Sequence, residues 1–589
     1  MEQTLEHTWK LEDLYTSLRD PRLTADLEAA SQEAAKYNAR YAGKIAGFSP
    51  KDLATAVAEY EVIYERAYKP VLFASLSFSA DTQNSEIKAL LDKARQMFTD
   101  IRNQFLFLEL ELKALPQDKA ENLLKAPELA DLEHWLVQLR KLAPFTLSEK
   151  EEKILNLKQL TGRSAWSQFY TEHTSRFRFK VIVNGEEKEL NDPETRALRR
   201  HQDSATRRSA HHALYSRYQE EAPTLAYIFN TVFQDHLTDV NLRGFDHPLT
   251  PTAMQDELSV SEIQGLLEAT AGHYHLVERY HLFKAKRLGT EKVSSADLLA
   301  PVGQEPKLSY AEAKDLVLEA FERFSPKIQK IALEFFDKRW IDVYPRAGKR
   351  GGAFCSYGLP STHPYVFLNH TDDLDSAHTL AHELGHAIHA YLFNGQRLVN
   401  FGATTPLAET ASVFAEILLD DLMLERLKTP HERMVLMANR VEDCVATAFR
   451  QVMYTRWELA AVEARKQGVQ PAEFYNQLWK DESLKLYGKG VDFTDIDWVA
   501  WSGIPHFIGH RFYCYSYAYG YLLVLALYNR YLEEGKAFVP KYLDILAAGE
   551  SQTPQQILAR AGINPANPGF WAGSFKVVEG WLKELEATA

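Results

Sequence analysis

The sequence predicts a mainly α-helical fold with one small β-sheet next to a helix that carries a metal-binding pattern. Over most of the 589 residues, apolar side chains recur at the three-to-four spacing of amphipathic helices. Strand-like runs are confined to a hairpin near residues 177–190 and to a region at about 340–370. With 46% apolar residues, the chain has enough hydrophobic material for a large core.

Residues 1–165 are predicted to form an N-terminal helical lobe. Their apolar periodicity indicates helices over 26–41, 51–68, 85–115 and 130–142. Pro70, Pro116 and Pro144 are expected to separate these helices, because proline lacks the amide proton that continues a helix.

The helical period changes at residues 166–195, which we interpret as a join between two domains. Residues 177–183 alternate in polarity up to Asn184-Gly185, and a second short run follows at 186–190. Asn-Gly between strand-like runs predicts a β-hairpin. Residues 196–589 are then predicted to form a second, catalytic helical domain. Five arginines between Arg196 and Arg208 are expected to lie on a solvated helix face.

The predicted sheet precedes the metal-binding pattern. Helices are expected over 261–288 and 310–340, the second divided at Pro326, and strands over 341–344, 351–356 and 364–368. A glycine pair in a strand often marks the close approach of another backbone. Gly351, Gly352, Ala353 and Phe354 are therefore candidates for binding a peptide as an added strand. A simple edge bulge is the alternative.

The next helix is predicted between residues 371 and 392, and it contains His-Glu-x-x-His. His382 and His386 are four residues apart, so both imidazoles lie on one helix face and can reach one zinc ion. Glu383 is then placed to take a proton from a zinc-bound water as that water attacks a carbonyl group. Two histidines making ordinary hydrogen bonds are the alternative interpretation.

A third ligand is expected from a following helix that begins at Thr405-Pro406. Glu409 lies in its first turns, and Glu416 lies on the same face and could support a ligand. An acidic, solvated helix face is the alternative, although the neighbouring apolar residues argue for burial. His389 lies too far along the first helix to join its two histidines, so we expect it to pack beside the site.

These segments resemble the oligoendopeptidase F branch of the thimet oligopeptidase family of zinc metallopeptidases. The resemblance rests on residues 382–389, 408–416, 351–355 and the tyrosine-rich stretch at 506–521. It implies a two-lobed peptidase with a deep channel and a gluzincin-type site. One zinc ion per chain would be held by His382, His386 and Glu409. His378 stands where relatives usually have an apolar residue; packing is the expected role, and support of a metal ligand from the same helix face is the alternative.

The tyrosine-rich stretch is predicted to present a polar helix face. His506, His510, Tyr513 and Tyr517 follow each other at helical spacing, while Tyr515 is expected to pack behind them. Hydrogen-bond donors of this kind can stabilise the oxyanion formed when a carbonyl group is attacked. The family resemblance implies this catalytic role for His506, Tyr513 and Tyr517. His510 is assigned to substrate binding.

Composition excludes several other classes of function. A formal charge of −13 and a pI near 5.9 argue against a nucleic-acid partner. Three widely spaced cysteines suit a reducing cytosol, the first ten residues lack the apolar run of a signal peptide, and the most apolar run, 522–527, is too short to span a membrane. These features lead us to expect a cytoplasmic protein, and the family resemblance implies a zinc endopeptidase that acts on short, unstructured peptides.

Two other functions remain open from the sequence. A carboxypeptidase or dipeptidyl carboxypeptidase would need a cation to bind the terminal carboxylate of its substrate, and Arg511 is the only nearby candidate. A non-catalytic peptide-binding protein with a structural metal is less expected. Structural zinc sites are usually filled by four protein ligands, whereas three are found here.

Overall fold

A computed structural model describes residues 7–304, 306–567 and 569–588, and the chain forms two compact units. Unit 1 consists of Met1–Pro144, Pro306–Glu425 and Tyr531–Ile563. Unit 2 consists of Phe145–Glu305, Arg426–Arg530 and Asn564–Ala589. Each unit is thus built from three separate segments, and the domain boundaries expected near residues 165 and 195 stay a prediction. The first six residues, part of the segment assessed for a signal peptide, lie outside the described residues.

The predicted mainly α-helical fold is confirmed. The α-helices of unit 1 are Pro21–Tyr41, Pro50–Ala80, Ser85–Asn103, Leu106–Lys113, Gln117–Leu124, Glu133–Lys141, Tyr310–Phe324, Pro326–Asp337, Leu374–Phe393, Thr405–Ala408, Ser412–Arg426, Val539–Ala547 and Pro554–Arg560. Those of unit 2 are Glu149–Gln159, Arg163–Ser175, Asp192–Ala197, Ser204–Glu220, Ala222–Arg243, Thr250–Gln255, Val260–Ala271, His275–Leu288, Pro430–Cys444, Arg450–Arg465, Ala472–Tyr487, His506–Gly509, Cys514–Glu534 and Ala572–Glu586. A π-helical turn, Val445–Phe449, joins two of them.

In the second helix of unit 1, burial of the chain outweighs the tendency of a proline to end a helix. The helix Pro50–Ala80 begins at a capping box in which Ser49 and Asp52 satisfy each other's backbone amides. Pro70, expected to end it, lies inside it. A proline inside a helix removes one backbone hydrogen bond. Val71, Leu72 and the residues that follow are buried, and this burial holds the helix together across the missing bond.

The predicted hairpin is confirmed in unit 2. Strand β1 (Phe179–Val183) pairs antiparallel with β2 (Glu186–Leu190), with Val183 opposite Glu186. The two turn residues, Asn184 and Gly185, have φ values of 52° and 88°. A two-residue turn with positive φ at both positions matches the twist of the strands, and this is why Asn-Gly predicted it.

A three-stranded sheet lies in unit 1 before the helix that carries the two histidines. The order is β4-β6-β5, where β4 is Ile341–Asp342, β5 is Phe354–Ser356 and β6 is Tyr365–Phe367. Strand β6 pairs parallel with β4 and antiparallel with β5. The three strands were predicted, but the glycine pair lies before β5 and not in it, because Gly352 has a φ of 82°.

A further pair of strands was not predicted. Strand β3 (Val293–Ser294) runs parallel to β7 (Val491–Asp492) in unit 2, outside the two regions in which strands were expected. Each strand has only two residues, too few for a periodic pattern. This pairing joins segments that are almost two hundred residues apart in the chain.

The arginines between residues 196 and 208 do not share one solvated face, so that expectation is wrong. Arg208 is exposed, but Arg199 and Arg207 are only 9% and 5% exposed. Arg207 lies 2.7 Å from the carboxylate of Asp297. A buried charge needs a partner of this kind, and Arg207 has found one that the local sequence does not reveal.

The most apolar run of the chain, residues 522–527, lies in the helix Cys514–Glu534 and is buried. Its hydrophobicity is explained by burial in the protein core. Across the described ranges, no helix is both long and apolar enough to cross a membrane.

Candidate active site

The helix Leu374–Phe393, called the His-Glu helix below, carries the first part of the site. Asp373 caps its N-terminus by accepting a hydrogen bond of 2.8 Å from the backbone amide of Ser376. Thr371, considered as a start of this helix, instead donates its hydroxyl to Asp373. Four residues apart on this helix, the rings of His382 and His386 are 4.8 Å apart and nearly perpendicular.

The second part of the site is a break between two helices and not the continuous helix that was predicted. Thr405–Ala408 forms one turn, and a new helix runs over Ser412–Arg426. Glu409 lies in the break, with backbone angles of −85° and 3°. The Ser412 hydroxyl donates to Glu409 Oε2 over 2.6 Å, which fixes the carboxylate next to the break. The position of Glu409 is therefore set by a turn.

Gly385 allows this turn to approach the His-Glu helix. A Cβ atom added at Gly385 would lie 2.5 Å from the carbonyl oxygen of Ala411 and 2.6 Å from Cα of Ser412. Both are backbone atoms, so no rotation of a side chain could relieve the overlap. The one glycine between the two histidines is therefore needed for packing against the segment that carries Glu409.

The three predicted ligands lie together, at distances that suit zinc. Glu409 Oε2 is 3.4 Å from Nε2 of His382 and 3.4 Å from Nε2 of His386. All three donor atoms lie within 4.8 Å of one another. A tetrahedral zinc ion with bonds of about 2.1 Å has ligand atoms about 3.4 Å apart. The residues present thus fit a zinc ion with three protein ligands, one coordination position being left over.

Carboxylates of the helix Ser412–Arg426 contact the histidines from behind. Nδ1 of His382 makes a short hydrogen bond to Glu416, which orients the ring so that Nε2 faces Glu409. Burial by itself lowers the pKa of His382, but Glu416 and the other nearby carboxylates raise it to about 9. One turn earlier, His378 pairs with Asp420 over 2.6 Å.

His389 has a different environment. It is 2% exposed, and burial lowers its pKa to about 3, so the ring is neutral at physiological pH. It does not belong to the group of three metal-binding residues found in the described chain. This agrees with its expected place beside the site.

Two carboxylates of the site have pKa values that are shifted in opposite directions. Burial raises the pKa of Glu383, which is 7% exposed and hydrogen-bonded to the backbone amide of Cys355 on β5. Burial also acts on Glu409, but a hydrogen bond with His386 and the charges of both histidines lower its pKa to about 2. Glu409 is therefore a permanent anion suited to a metal ligand. A carboxylate with a raised pKa, such as Glu383, is better suited to accept a proton.

The glycine segment lies beside Glu383, and its predicted role in substrate binding stays a prediction. Phe354 begins β5 and stacks on Phe367 of β6, with ring centroids 4.9 Å apart. Gly351 and Gly352 precede it with no atom within 4 Å of a Cβ built at either position. Ala353 follows them and is half-buried.

A tyrosine next to the site was missed in the sequence. The ring of Tyr357 lies 6.3 Å from that of His386, and burial raises the pKa of its hydroxyl. It follows β5 directly, so its distance from the histidines depends on how the sheet packs against the His-Glu helix. The only sequence signal was its position just after a predicted strand.

In unit 2, the predicted polar helix face is replaced by a cluster around a break. The helix His506–Gly509 ends before His510, which is exposed, and the next helix starts at Cys514. Even so, Nε2 of His506 lies 3.3 Å from the hydroxyl of Tyr517, and the ring of Tyr513 lies 5.1 Å from that of Tyr517. His510 is 5.9 Å from Tyr513, measured between rings.

A buried carboxylate explains this break. Phe512 has a φ of 56°, and its backbone amide donates to both oxygens of Glu458, over 3.1 and 3.0 Å. Glu458 is fully buried, and a buried carboxylate without hydrogen bonds would be costly. Tyr515 packs behind the cluster as expected, with its hydroxyl 2.6 Å from Asp256. Glu458 lies 54 residues earlier in the chain than Phe512, so the local sequence gave no sign of it.

Comparisons with known proteins identify relatives of this chain. The family described as "Peptidase family M3" matches residues 197–577, and the one described as "Oligopeptidase F" matches residues 111–179. The chain is 29% identical over 590 residues to Oligopeptidase PepF of Bacillus subtilis (strain 168), covering 99% of this chain and 87% of the relative. It is 28% identical to Group B oligopeptidase PepB of Streptococcus agalactiae over 542 residues, which are 90% of this chain and 89% of the relative.

Solved structures share the fold. A Chlamydophila abortus protein has a TM-score of 0.91 at 23% identity, covering 99% of this chain and 98% of the other. The structure titled oligoendopeptidase-F from Enterococcus faecium has a TM-score of 0.70 at 23% identity, with coverages of 96% and 97%. These similarities concern the whole length of the chain and both of its units.

Proposed function

The chain belongs to peptidase family M3 and is a metallopeptidase, and we propose that it is a zinc-dependent endopeptidase that hydrolyses short, unstructured oligopeptides. The observation that carries the proposal is the position of Glu409 Oε2, which lies 3.4 Å from Nε2 of both His382 and His386, the distance expected between two ligands of tetrahedral zinc. One zinc ion per chain would be held by these three residues. When bound, zinc would lower the pKa of a coordinated water and polarise the carbonyl group under attack.

Glu383 is proposed as the general base. It precedes His386 by less than one helical turn, so it is beside the ligands without being one of them. Burial raises its pKa, which makes the carboxylate a stronger base than an exposed glutamate. Glu383 would take the proton of the attacking water and deliver it to the leaving amine. A carboxylic acid with a raised pKa holds that proton long enough for this second transfer.

Glu416 is proposed as a positioning residue. By accepting the Nδ1 proton of His382, it directs Nε2 of that ring at the ligand position, so Nε2 is the nitrogen that would give up its proton when zinc binds. Its negative charge also increases the basicity of the imidazole. The predicted roles of His506, Tyr513 and Tyr517 as donors in the transition state remain proposals that depend on the sequence resemblance.

Peptide substrates are supported by the sheet next to Glu383. Strand β5 is at the edge of the sheet, since the order is β4-β6-β5, so a peptide in extended form could pair with it. The open space around Gly351 and Gly352 suits such an approach. Because pairing needs several extended residues, peptides of about ten residues should be good substrates and folded proteins poor ones. Relatives of this chain are named oligopeptidases.

The test combines metal analysis with a single variant. Purified protein should contain about one zinc per chain, and chelation should abolish cleavage of a quenched-fluorescent peptide. The variant Glu383→Gln should keep zinc and lose about 10²–10⁴-fold in kcat. A matched control is Asp375→Asn, which removes an exposed acid from the same helix and should leave kcat unchanged. Native turnover by Glu383→Gln with bound zinc would show that another group is the base.

Substrate size is tested separately. The enzyme is incubated with a stable folded protein and with a ten-residue peptide copied from one of its loops. We expect cleavage of the peptide alone. Equal rates on both would contradict pairing of an extended substrate with β5.

A further inference from the structure

Unit 2 contains a cavity of about 250 Å³ that the proposed peptidase chemistry does not use. Its walls come from four regions of this unit, near residues 196–215, 295–299, 450–454 and 479–504. The described lining is rich in arginine and aromatic residues, an unusual combination for a cavity inside a protein. Neither the metal-binding residues nor the histidine–tyrosine cluster of residues 506–517 line it.

Two of the three arginines in the wall lack a balancing carboxylate. Nε of Arg199 is buried without a hydrogen-bond partner among the described residues, and its guanidinium lies 3.2 Å from the hydroxyl of Tyr215 and 5.4 Å from the centre of that ring. Arg199 is 9% exposed. Nε of Arg450 is likewise buried without a partner, and no ion pair of Arg450 is found within the described ranges. The third, Arg196, is neutralised by Asp192 at 2.5 Å.

The acidic groups near the cavity are already engaged. Asp497 is the carboxylate of the wall, and it lies 2.7 Å from Nε2 of His211 and accepts from the amide of Thr494 over 2.6 Å. Behind Arg450, the Glu442 carboxylate is bound by Lys284 at 2.7 Å. The cavity therefore keeps an excess of positive charge, and leaving buried guanidinium groups unpaired is costly unless an anion occupies it.

The other residues of the wall indicate what kind of molecule would carry the anionic group. Tyr215, Tyr454, Trp479 and Tyr487 present aromatic surfaces, and leucine, methionine and isoleucine side chains complete the lining. Burial raises the pKa of the Tyr487 and Tyr454 hydroxyls, so both stay protonated and can donate to an oxyanion. Two guanidinium groups, phenol donors and flat apolar walls together suit an oxyanion attached to a planar or apolar body.

We propose that this cavity is a binding site for a small organic anion, a carboxylate or phosphate group on an aromatic or apolar body, held by Arg199 and Arg450. A bidentate contact from each guanidinium would satisfy the donors that the protein leaves unpaired. The site is independent of the metal-binding residues, so it does not depend on the proposed peptidase function. A cavity of this size accommodates one small acid and not a peptide chain.

The test is calorimetric titration of the full-length protein with benzoate, phenyl phosphate, inorganic phosphate and benzamide. Benzamide has the shape of benzoate without its charge. We expect one site for at least one of the two aromatic anions, with benzamide at least about tenfold weaker. Preference between benzoate and phenyl phosphate identifies carboxylate or phosphate as the natural group. Inorganic phosphate should bind more weakly than phenyl phosphate, because it lacks the body that contacts the aromatic walls.

Arginine variants distinguish binding of an anion from a purely structural role of the two arginines. Arg450→Met and Arg199→Met should each weaken binding of the anion at least about tenfold. Without ligand, Arg450→Met should melt at a higher temperature than the natural protein, because a half-buried guanidinium whose Nε has no hydrogen-bond partner has been removed. If either variant fails to fold, Arg450→Lys retains the charge and should keep part of the affinity.

Two controls complete the design. Arg208→Gln removes an exposed arginine from the helix Ser204–Glu220 and should bind the anion normally. Glu383→Gln should also bind normally, which shows that binding is independent of peptidase activity. The proposal is overturned if neither aromatic anion binds at concentrations up to about 10 mM, if benzamide binds as well as benzoate, or if both methionine variants bind like the natural protein.

Discussion

Replacing Gly385 with alanine has two opposite effects on the stability of the protein. Helix propensity favours alanine over glycine in a helix interior by about 1 kcal/mol. In this structure, however, the new Cβ would lie 2.5, 2.6 and 2.8 Å from backbone atoms of Ala411 and Ser412. Overpacking of this kind typically costs about 1–3 kcal/mol. We therefore expect Gly385→Ala to lower the stability of the protein despite its better helix propensity.

The same overlap predicts a loss of zinc affinity. The Cβ added at Gly385 would lie 2.5 Å from the carbonyl oxygen of Ala411, and an ordinary contact is about 3.4 Å. To relieve the overlap, the backbone that follows Glu409 would have to move away by about 0.9 Å. The carboxylate of Glu409, now 3.4 Å from both histidine nitrogens, would then lie near 4.3 Å from them. A zinc–oxygen bond of about 2.1 Å would lengthen to nearly 3 Å, so the carboxylate ceases to be a full ligand. We expect zinc affinity to fall by about 10–100-fold.

The assay measures zinc affinity by competition with a chromophoric chelator and the melting temperature of the metal-free protein. Gly265→Ala is the matched control, because Gly265 lies inside the helix Val260–Ala271 with no atom within 4 Å of its added Cβ. That variant should gain about 1 kcal/mol and bind zinc normally. If Gly385→Ala gains stability as Gly265→Ala does and keeps its zinc affinity, the close approach of the two backbones does not position Glu409.

Three further predictions concern other parts of the chain. Glu416→Ala should lower zinc affinity about 10–100-fold with the fold intact, because His382 loses the acceptor that orients it; an unchanged dissociation constant would exclude this role. Replacing Tyr513 or Tyr517 with Phe should lower kcat by about 10²–10³ with little change in KM if that phenol stabilises the transition state, whereas a rise in KM alone would assign it to substrate positioning. Burial raises the pKa of Glu458 from 4.5 to about 8, so between these values the folded protein holds a proton that the unfolded chain has lost. The contribution of Glu458 to the free energy of unfolding is fully present below about pH 4.5 and is lost as the pH rises to about 8. The loss is at most about 1.4 kcal/mol per pH unit. Melting temperatures measured from pH 5 to 8 should therefore fall more steeply for the natural protein than for Glu458→Gln, and parallel profiles would contradict the shift.

Features that depend on a few consecutive residues were predictable from the sequence. Four residues of helix place His382 and His386 on one face whatever surrounds them, because the helical repeat fixes that geometry. Asn184-Gly185 predicted the hairpin for a similar reason, since positive φ at both positions is accessible to these residues. Even Glu409 was identified, although the sequence placed it on a continuous helix.

The local sequence did not predict the breaks in helices or the pairings between distant segments. Glu409 reaches the histidines because a turn interrupts its helix and because Gly385 admits that turn. The break at Phe512 is stabilised by Glu458, and β3 pairs with β7 across almost two hundred residues. Propensity and periodicity act over a few residues of one segment, so they carry no information about a partner that arrives from elsewhere in the chain.

By itself, the sequence determined the class of fold, the helical pair of histidines, the position of Glu383 between them and the family to which the chain belongs. Only the tertiary structure decided the three-segment composition of each unit, the geometry that brings Glu409 within 3.4 Å of both imidazoles, and the placement of Arg199 and Arg450 around one cavity. The physical reason is that burial and close approach are properties of packed segments. A charged side chain has the same local sequence signal whether water or an apolar wall surrounds it, and the packing of the chain decides between them.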